Sequence, residues 1–161
     1  MSNEHEYLEA VAKSLDYAYA EGANLNTVEY NGEIFKRYLK KGSRILELGP
    51  AEGTMTDILY PLFSEDYTVV DAVTSYIERL KKKHSGIKGE AALFEEYEPG
   101  ELFDSIVLGH VLEHVDNPVE ILKKCRAWLK PGGQIMLSVP NCDSIHRQAA
   151  VLMGLQSTVK D

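Results

Sequence analysis

Three groups of residues in this chain have the types and spacing to do chemistry. The first is Glu47-Leu48-Gly49-Pro50-Ala51-Glu52-Gly53-Thr54, where an apolar run ends in two glycines and a helical pattern begins. Gly49 and Gly53 can adopt backbone angles closed to other residues and let a ligand approach the main chain. An ordinary strand-to-helix turn would also use such a pair, so position must decide. A dinucleotide site wants G-x-G-x-x-G with the helix amino end aimed at a pyrophosphate. Here Ala51 replaces the middle glycine and Glu52 adds negative charge where phosphates would sit. Glu47, just ahead of the turn, can instead orient a cationic ligand, so the turn suits an amino-acid-bearing nucleoside better. The second group is Asp71, about twenty residues downstream at the end of another apolar run, where an acid accepts hydrogen bonds from ribose hydroxyls. An acid there also serves as a helix cap, and ribose occurs in both kinds of cofactor. The third is His110, Glu113 and His114. If that stretch is helical the two imidazoles share a face, and either can exchange a proton near neutrality.

The elements that position these groups follow from periodicity. Residues 5–20 and 28–41 carry helical apolar spacing, with Gly42 as a stop. The runs 44–49, 67–73, 103–109 and 134–139 read as strands, and 91–97 as a weaker one. Residues 54–63, which Pro61 must end or kink, 74–84 and 144–153 read as helices. Another helix starts at Asp116-Asn117-Pro118, with Ile121, Leu122, Cys125, Trp128 and Leu129 on one stripe. Strands alternate with helices and are apolar almost throughout, which predicts a doubly wound α/β fold of about five mostly parallel strands. Such sheets bind ligands beyond the carboxyl ends of their strands, where Gly49, Asp71 and His110 fall.

Composition narrows the partners. The chain has 161 residues, 25 acidic and 17 basic, for a net charge of −8. That argues against nucleic acid, whose phosphates need a basic face. No apolar run is long enough to span a membrane, and the first residues lack a secretory signal pattern. Cys125 and Cys142 form no metal-like cluster and read as reduced thiols, so a cytoplasmic setting is expected.

The segments ILELGPAEG (45–53), VVDAV (69–73), FDSIVLGHVLEHVDNP (103–118) and LKPGGQIMLSVPN (129–141), in this order, resemble the class I S-adenosylmethionine-dependent methyltransferases. More narrowly, they look like the small-molecule branch that includes ubiquinone-biosynthesis enzymes. The resemblance implies S-adenosylmethionine as cofactor, S-adenosylhomocysteine as product and a small-molecule acceptor. It places Glu47, Gly49, Pro50, Ala51 and Gly53 around the methionine part, and Asp71 with Ala72 at the ribose. Leu93 and Phe94 match the end of the third strand along adenine, with Leu93 where relatives often carry an acid. Gly109 and His110 match the end of the fourth strand beside the sulfonium. Pro50 and Glu52 stand where small residues are common.

In relatives the N-terminal stretch closes over the cofactor, which makes Tyr30, Tyr17 and Tyr19 lid candidates and residues 1–42 a lid ahead of a 43–161 core. Relatives that methylate planar amino groups carry Asn or Asp where Gly109 stands, so base N-methylation is not expected. The cofactor brings the reactive carbon, and the protein supplies orientation and electrostatics. His110 or His114 would serve as base if a hydroxyl acceptor must lose its proton. His114 can equally be a structural residue at the helix start. His110, Glu113 and His114 follow directly on a strand rather than lying in a long helix, so no metal is expected.

Two other readings compete: a nicotinamide-dependent oxidoreductase, and a non-catalytic module of the same fold. The family usually adds two more strands after the fifth, yet only about twenty residues follow Asn141. The expectation is a truncated chain, or a minimal sheet whose open edge a partner, such as a second copy, covers.

Overall fold

A computed structural model describes residue 10, residues 22–63 and residues 66–158. The helix expected over 5–20, with Tyr17 and Tyr19, lies outside the described residues apart from residue 10. Five parallel strands form one sheet in the order β3-β2-β1-β4-β5. They are β1 (Ile45–Leu48), β2 (Tyr67–Asp71), β3 (Lys88–Ala91), β4 (Phe103–Gly109) and β5 (Leu129–Ser138). The helices are α1 (Gly22–Tyr38), α2 (Thr54–Phe63), α3 (Thr74–Lys83), α4 (Pro118–Ala127) and α5 (Ile145–Leu152), with a 3₁₀ turn over Leu112–His114.

The central strands are apolar because both faces are covered. On one face Ile45, Val69 and Val107 meet Phe35, Leu59, Ile77 and Leu80 from the helices. On the other, Leu46, Val70, Ile106 and Leu108 meet Ile121, Cys125 and Trp128. The α4 start is built as its sequence predicts: Asn117 Oδ1 accepts from the Glu120 amide and Pro118 opens the helix. Helix α2 runs through Pro61 but ends two residues later at Phe63.

Three boundaries differ from the sequence expectation. Helix α1 begins at Gly22, well before residue 28, and keeps Val28 and Phe35 buried. Strand β3 is 88–91 rather than 91–97. It is an edge strand with mostly exposed side chains, so apolar content is a poor guide, and the apolar Ala92-Leu93-Phe94 run follows it as a loop. Strand β5 begins at Leu129 rather than 134 and takes in Pro131-Gly132-Gly133 as an irregularity opposite Phe103–Ser105. An edge position tolerates both the proline and the extra residues. Among the described residues no helix is long and apolar enough to cross a membrane.

Candidate active site

A cleft of about 280 Å³ opens at the carboxyl ends of β1, β2 and β4. Its first wall is the loop after β1. Gly49 sits at φ +64°, its amide bonded to the Val70 carbonyl at 2.8 Å, and a side chain there would lie 2.8 Å from Val111 Cγ2. Ala51 follows at φ +47°, a conformation rare for a residue with a Cβ. The Gly53 amide closes the turn on the Pro50 carbonyl at 2.8 Å. Gly53 itself does not line the cleft. Its φ of +92° and a Cβ position only 2.5 Å from Leu80 Cδ2 show that it lets α2 pack tightly on α3. The residue matching the family's second glycine therefore supports the loop from beneath.

Two acids face the cleft from β1 and β2. Glu47 is 1% exposed, and its Oε2 accepts from Thr56 Oγ1 at 2.8 Å and Tyr67 OH at 2.9 Å. Burial pushes its carboxyl up to about 7, against the pull of those two hydroxyls. Among the described residues no lysine or arginine pairs with it. Asp71 Oδ1 accepts from the Val73 amide at 2.9 Å, and Oδ2 from the Ala51 amide at 3.2 Å. The cap and the ligand-facing readings of Asp71 are thus compatible: it ties the β1–α2 loop to the start of α3 while lining the cleft with Ala72. Glu52 also lines it, with Oε1 accepting from Tyr76 OH at 3.3 Å.

Leu93 and Phe94, half-buried in the loop after β3, make the apolar wall. Opposite stands Gly109, where a Cβ would lie 3.1 Å from Met55 Cε. His110 follows at φ +59° with its side chain 10% exposed. Its Nδ1 lies 3.3 Å from Glu113 Oε1, and its Nε2 lies 3.0 Å from Asn31 Nδ2. His114 reaches the same cleft from the 3₁₀ turn, at an exposed rim. The two imidazoles therefore do not share a helix face: a left-handed residue at the strand end and a 3₁₀ turn bring them to one cavity instead.

Of the residues expected to hold a cofactor, Glu47, Gly49, Pro50, Ala51, Asp71, Ala72, Leu93, Phe94, Gly109 and His110 line the cleft. Tyr30 does not; it is 68% exposed on α1. Its neighbour Asn31, and Val28 one turn back, supply the helix's contribution to the site. Asn31 has no signature in a single sequence, because its partner is His110, 79 positions away. Met55 and Val111 were legible only as core.

A family model described as a methyltransferase domain matches residues 8–158. The chain belongs to the methyltransferase domain family. The nicotinamide alternative gives way to it. Ubiquinone biosynthesis O-methyltransferase of Xylella fastidiosa (strain M23) is 33% identical over 117 residues, covering 67% of this chain and 46% of that protein. The protein of that description from Bradyrhizobium diazoefficiens is 34% identical over 104 residues, covering 62% and 41%. This methyltransferase domain thus spans less than half the length of those relatives.

Among solved structures, the N-methyltransferase NodS from Bradyrhizobium japonicum WM9, in complex with S-adenosyl-L-homocysteine, superposes with a TM-score of 0.69. The identity is 24%, over 83% of this chain and 71% of that one. The plantazolicin methyltransferase BpumL, in complex with a pentazolic desmethylPZN analog and S-adenosylhomocysteine, gives 0.65 at 19% identity, over 98% and 66%. Both likenesses establish the doubly wound Rossmann-like methyltransferase fold.

Proposed function

We propose that this methyltransferase domain binds S-adenosylmethionine in the cleft and transfers its methyl group to a small-molecule acceptor. One observation carries the reading: Glu47, Gly49, Asp71, Leu93, Phe94, Gly109 and His110 meet in one cavity whose lining contains no lysine or arginine among the described residues. Glu47, Glu52 and Asp71 in that lining would repel a pyrophosphate, whereas a sulfonium or ammonium is favoured beside acids.

The residues present fit such a ligand. Asp71 would accept from ribose hydroxyls, Leu93 and Phe94 would flank a planar base, and Glu47 would face the cationic amino-acid end. When bound, S-adenosylmethionine supplies an electrophilic methyl carbon, and S-adenosylhomocysteine is the product. The chain's own part is to bind, orient and exclude water. His110 is the group placed to take a proton from the acceptor, with His114 at the rim as the second candidate. The acceptor atom, oxygen, nitrogen or carbon, is left open.

Residues 1–42 act in this reading as a lid over the 43–161 core, which the reach of Val28 and Asn31 into the site supports. A cytoplasmic, reducing setting agrees with the free thiols Cys125 and Cys142. The net charge of −8 favours a small acceptor over nucleic acid. Exposed Leu137 on the edge strand β5 and Val139 just after it support a homodimer.

Calorimetric titration of the folded chain with S-adenosylmethionine, S-adenosylhomocysteine and NADH tests the reading. Heat is expected with the first two and none with NADH; silence with both sulfur ligands would refute it.

A further inference from the structure

His110 is held from three sides. Its φ of +59° places a residue with a Cβ in the left-handed region, a strained conformation that survives only where surrounding structure enforces it. Its amide donates to the Ser138 carbonyl at 3.0 Å, which pins the backbone. Asn31 Nδ2 on α1 then meets Nε2 at 3.0 Å, and the Glu113 carboxylate on the 3₁₀ turn lies 3.3 Å from Nδ1, close enough to attract charge though not aligned as a hydrogen bond. These two neighbours agree on one protonation pattern. A carboxylate this close to Nδ1 favours the proton on that nitrogen electrostatically. The neutral ring then has its lone pair on Nε2, and the group facing it is the Asn31 amide nitrogen, a donor.

We propose that Glu113 and Asn31 are positioning residues for His110: Glu113 fixes the Nδ1–H tautomer, and Asn31 occupies the Nε2 lone pair until the acceptor's own X–H displaces it. The inference deepens the reading of His110 as the group that takes the acceptor's proton, and it rests on that reading. It also defines an acceptor class. The nucleophile must carry a hydrogen able to replace an amide N–H at Nε2, as a hydroxyl or a protonated amine does. A tertiary amine or thioether cannot do so. In the step itself the X–H bond breaks, its proton goes to Nε2, and its electron pair forms the new bond to the methyl carbon. The sulfur leaves with the electrons of the old bond. Because Asn31 sits on α1, opening this position couples acceptor entry to the helix that flanks the cleft.

The test needs neither cofactor nor acceptor. Ring-nitrogen NMR of the full chain, labelled at histidine and assigned with His110→Gln, reads the tautomer directly. The expected wild-type signal is Nδ1–H with a bare Nε2. Glu113→Gln keeps it, because the partly negative amide oxygen still faces Nδ1, while Glu113→Ala mixes the two tautomers. Asn31→Asp, nearly isosteric and acceptor-only, puts a proton on Nε2. Asn31→Ala leaves the tautomer unchanged but exposes the lone pair. Carbethoxylation of His110 by diethyl pyrocarbonate, followed by peptide mass spectrometry, should then run about fivefold faster, as release of one hydrogen bond implies. An Nε2–H signal in the wild type, no response to Glu113→Ala, or an unchanged labelling rate in Asn31→Ala would each overturn the inference. Failure to bind S-adenosylmethionine would overturn the functional reading separately, since these signals do not depend on it.

Discussion

The two ends of the sheet use the same residue types to opposite effect. At the amino ends of the strands, acids meet cations. Arg44 bonds Asp66 and Glu101, Lys88 reaches Asp66 at 2.7 Å, and Lys130 reaches Asp104 at 2.8 Å. Partial burial pushes the Asp66 carboxyl up, but Lys88 and Arg44 outweigh it and hold it below its ordinary range. The Lys130 ammonium and the Arg44 amide do the same for Asp104. At the carboxyl ends the acids meet hydroxyls and backbone amides instead. Glu47 has Thr56 and Tyr67, Asp71 has the Ala51 and Val73 amides, and burial drives Glu47 up to about 7. Charge at one end is cancelled by cations inside the fold; at the other, in the proposed reading, it faces a ligand. That asymmetry separates a site from a brace better than the number of acids at either end.

The contrast can be broken by substitution. Asp71→Ala should have the largest effect, because it removes the acceptor for two loop amides and for the ligand's ribose. S-adenosylhomocysteine affinity, measured by calorimetry, should fall about a hundredfold, near 3 kcal/mol for hydrogen bonds to a charged group. A comparable loss from Lys130→Ala would erase the distinction between the ends.

Glu47→Gln comes next and acts on stability. The folded carboxyl titrates near 7 against an ordinary value of 4.5. The folded state therefore holds its proton where the unfolded chain has lost it, and wild-type stability falls as pH rises between those values. The glutamine variant should be flat across that window. At pH 8 it should be the more stable by up to about 3 kcal/mol in urea denaturation.

The smallest effects belong to the amino end. Lys130→Ala should cost no more than about 1 kcal/mol, less in high salt, and should leave ligand affinity unchanged. The sign with pH is reversed there. Asp104, with its carboxyl held low, contributes stability above its ordinary value of 3.8 that is lost as pH falls below it.

The architecture was legible because its signals are local. Continuous apolar runs gave β1, β2 and β4, and the Asn117-Pro118 start gave α4. The glycine turn and Asp71 were legible as a pair because the parallel sheet carries both to the same edge. Position alone did not reveal what each residue does. Gly53 was read as ligand-facing, yet Leu80 on α3 is what demands a glycine there. The β3 boundary failed because an edge strand buries little, so apolar content marked the loop that follows. Tyr30 was chosen for its aromatic ring, while the helix turns Asn31 toward His110 and Tyr30 toward solvent. Contacts between residues far apart in sequence, Asn31 with His110 above all, leave no trace in periodicity.

In the proposed reading, Glu47 and Asp71 at the carboxyl end receive a cationic ligand. The most direct test is S-adenosylhomocysteine affinity measured by calorimetry across pH in the wild type and in Glu47→Gln. Because Glu47 ionises near 7, wild-type affinity should rise about tenfold between about pH 6 and pH 8, with proton release on binding, while the variant stays flat. A wild-type affinity independent of pH, or the same slope in both proteins, would contradict it.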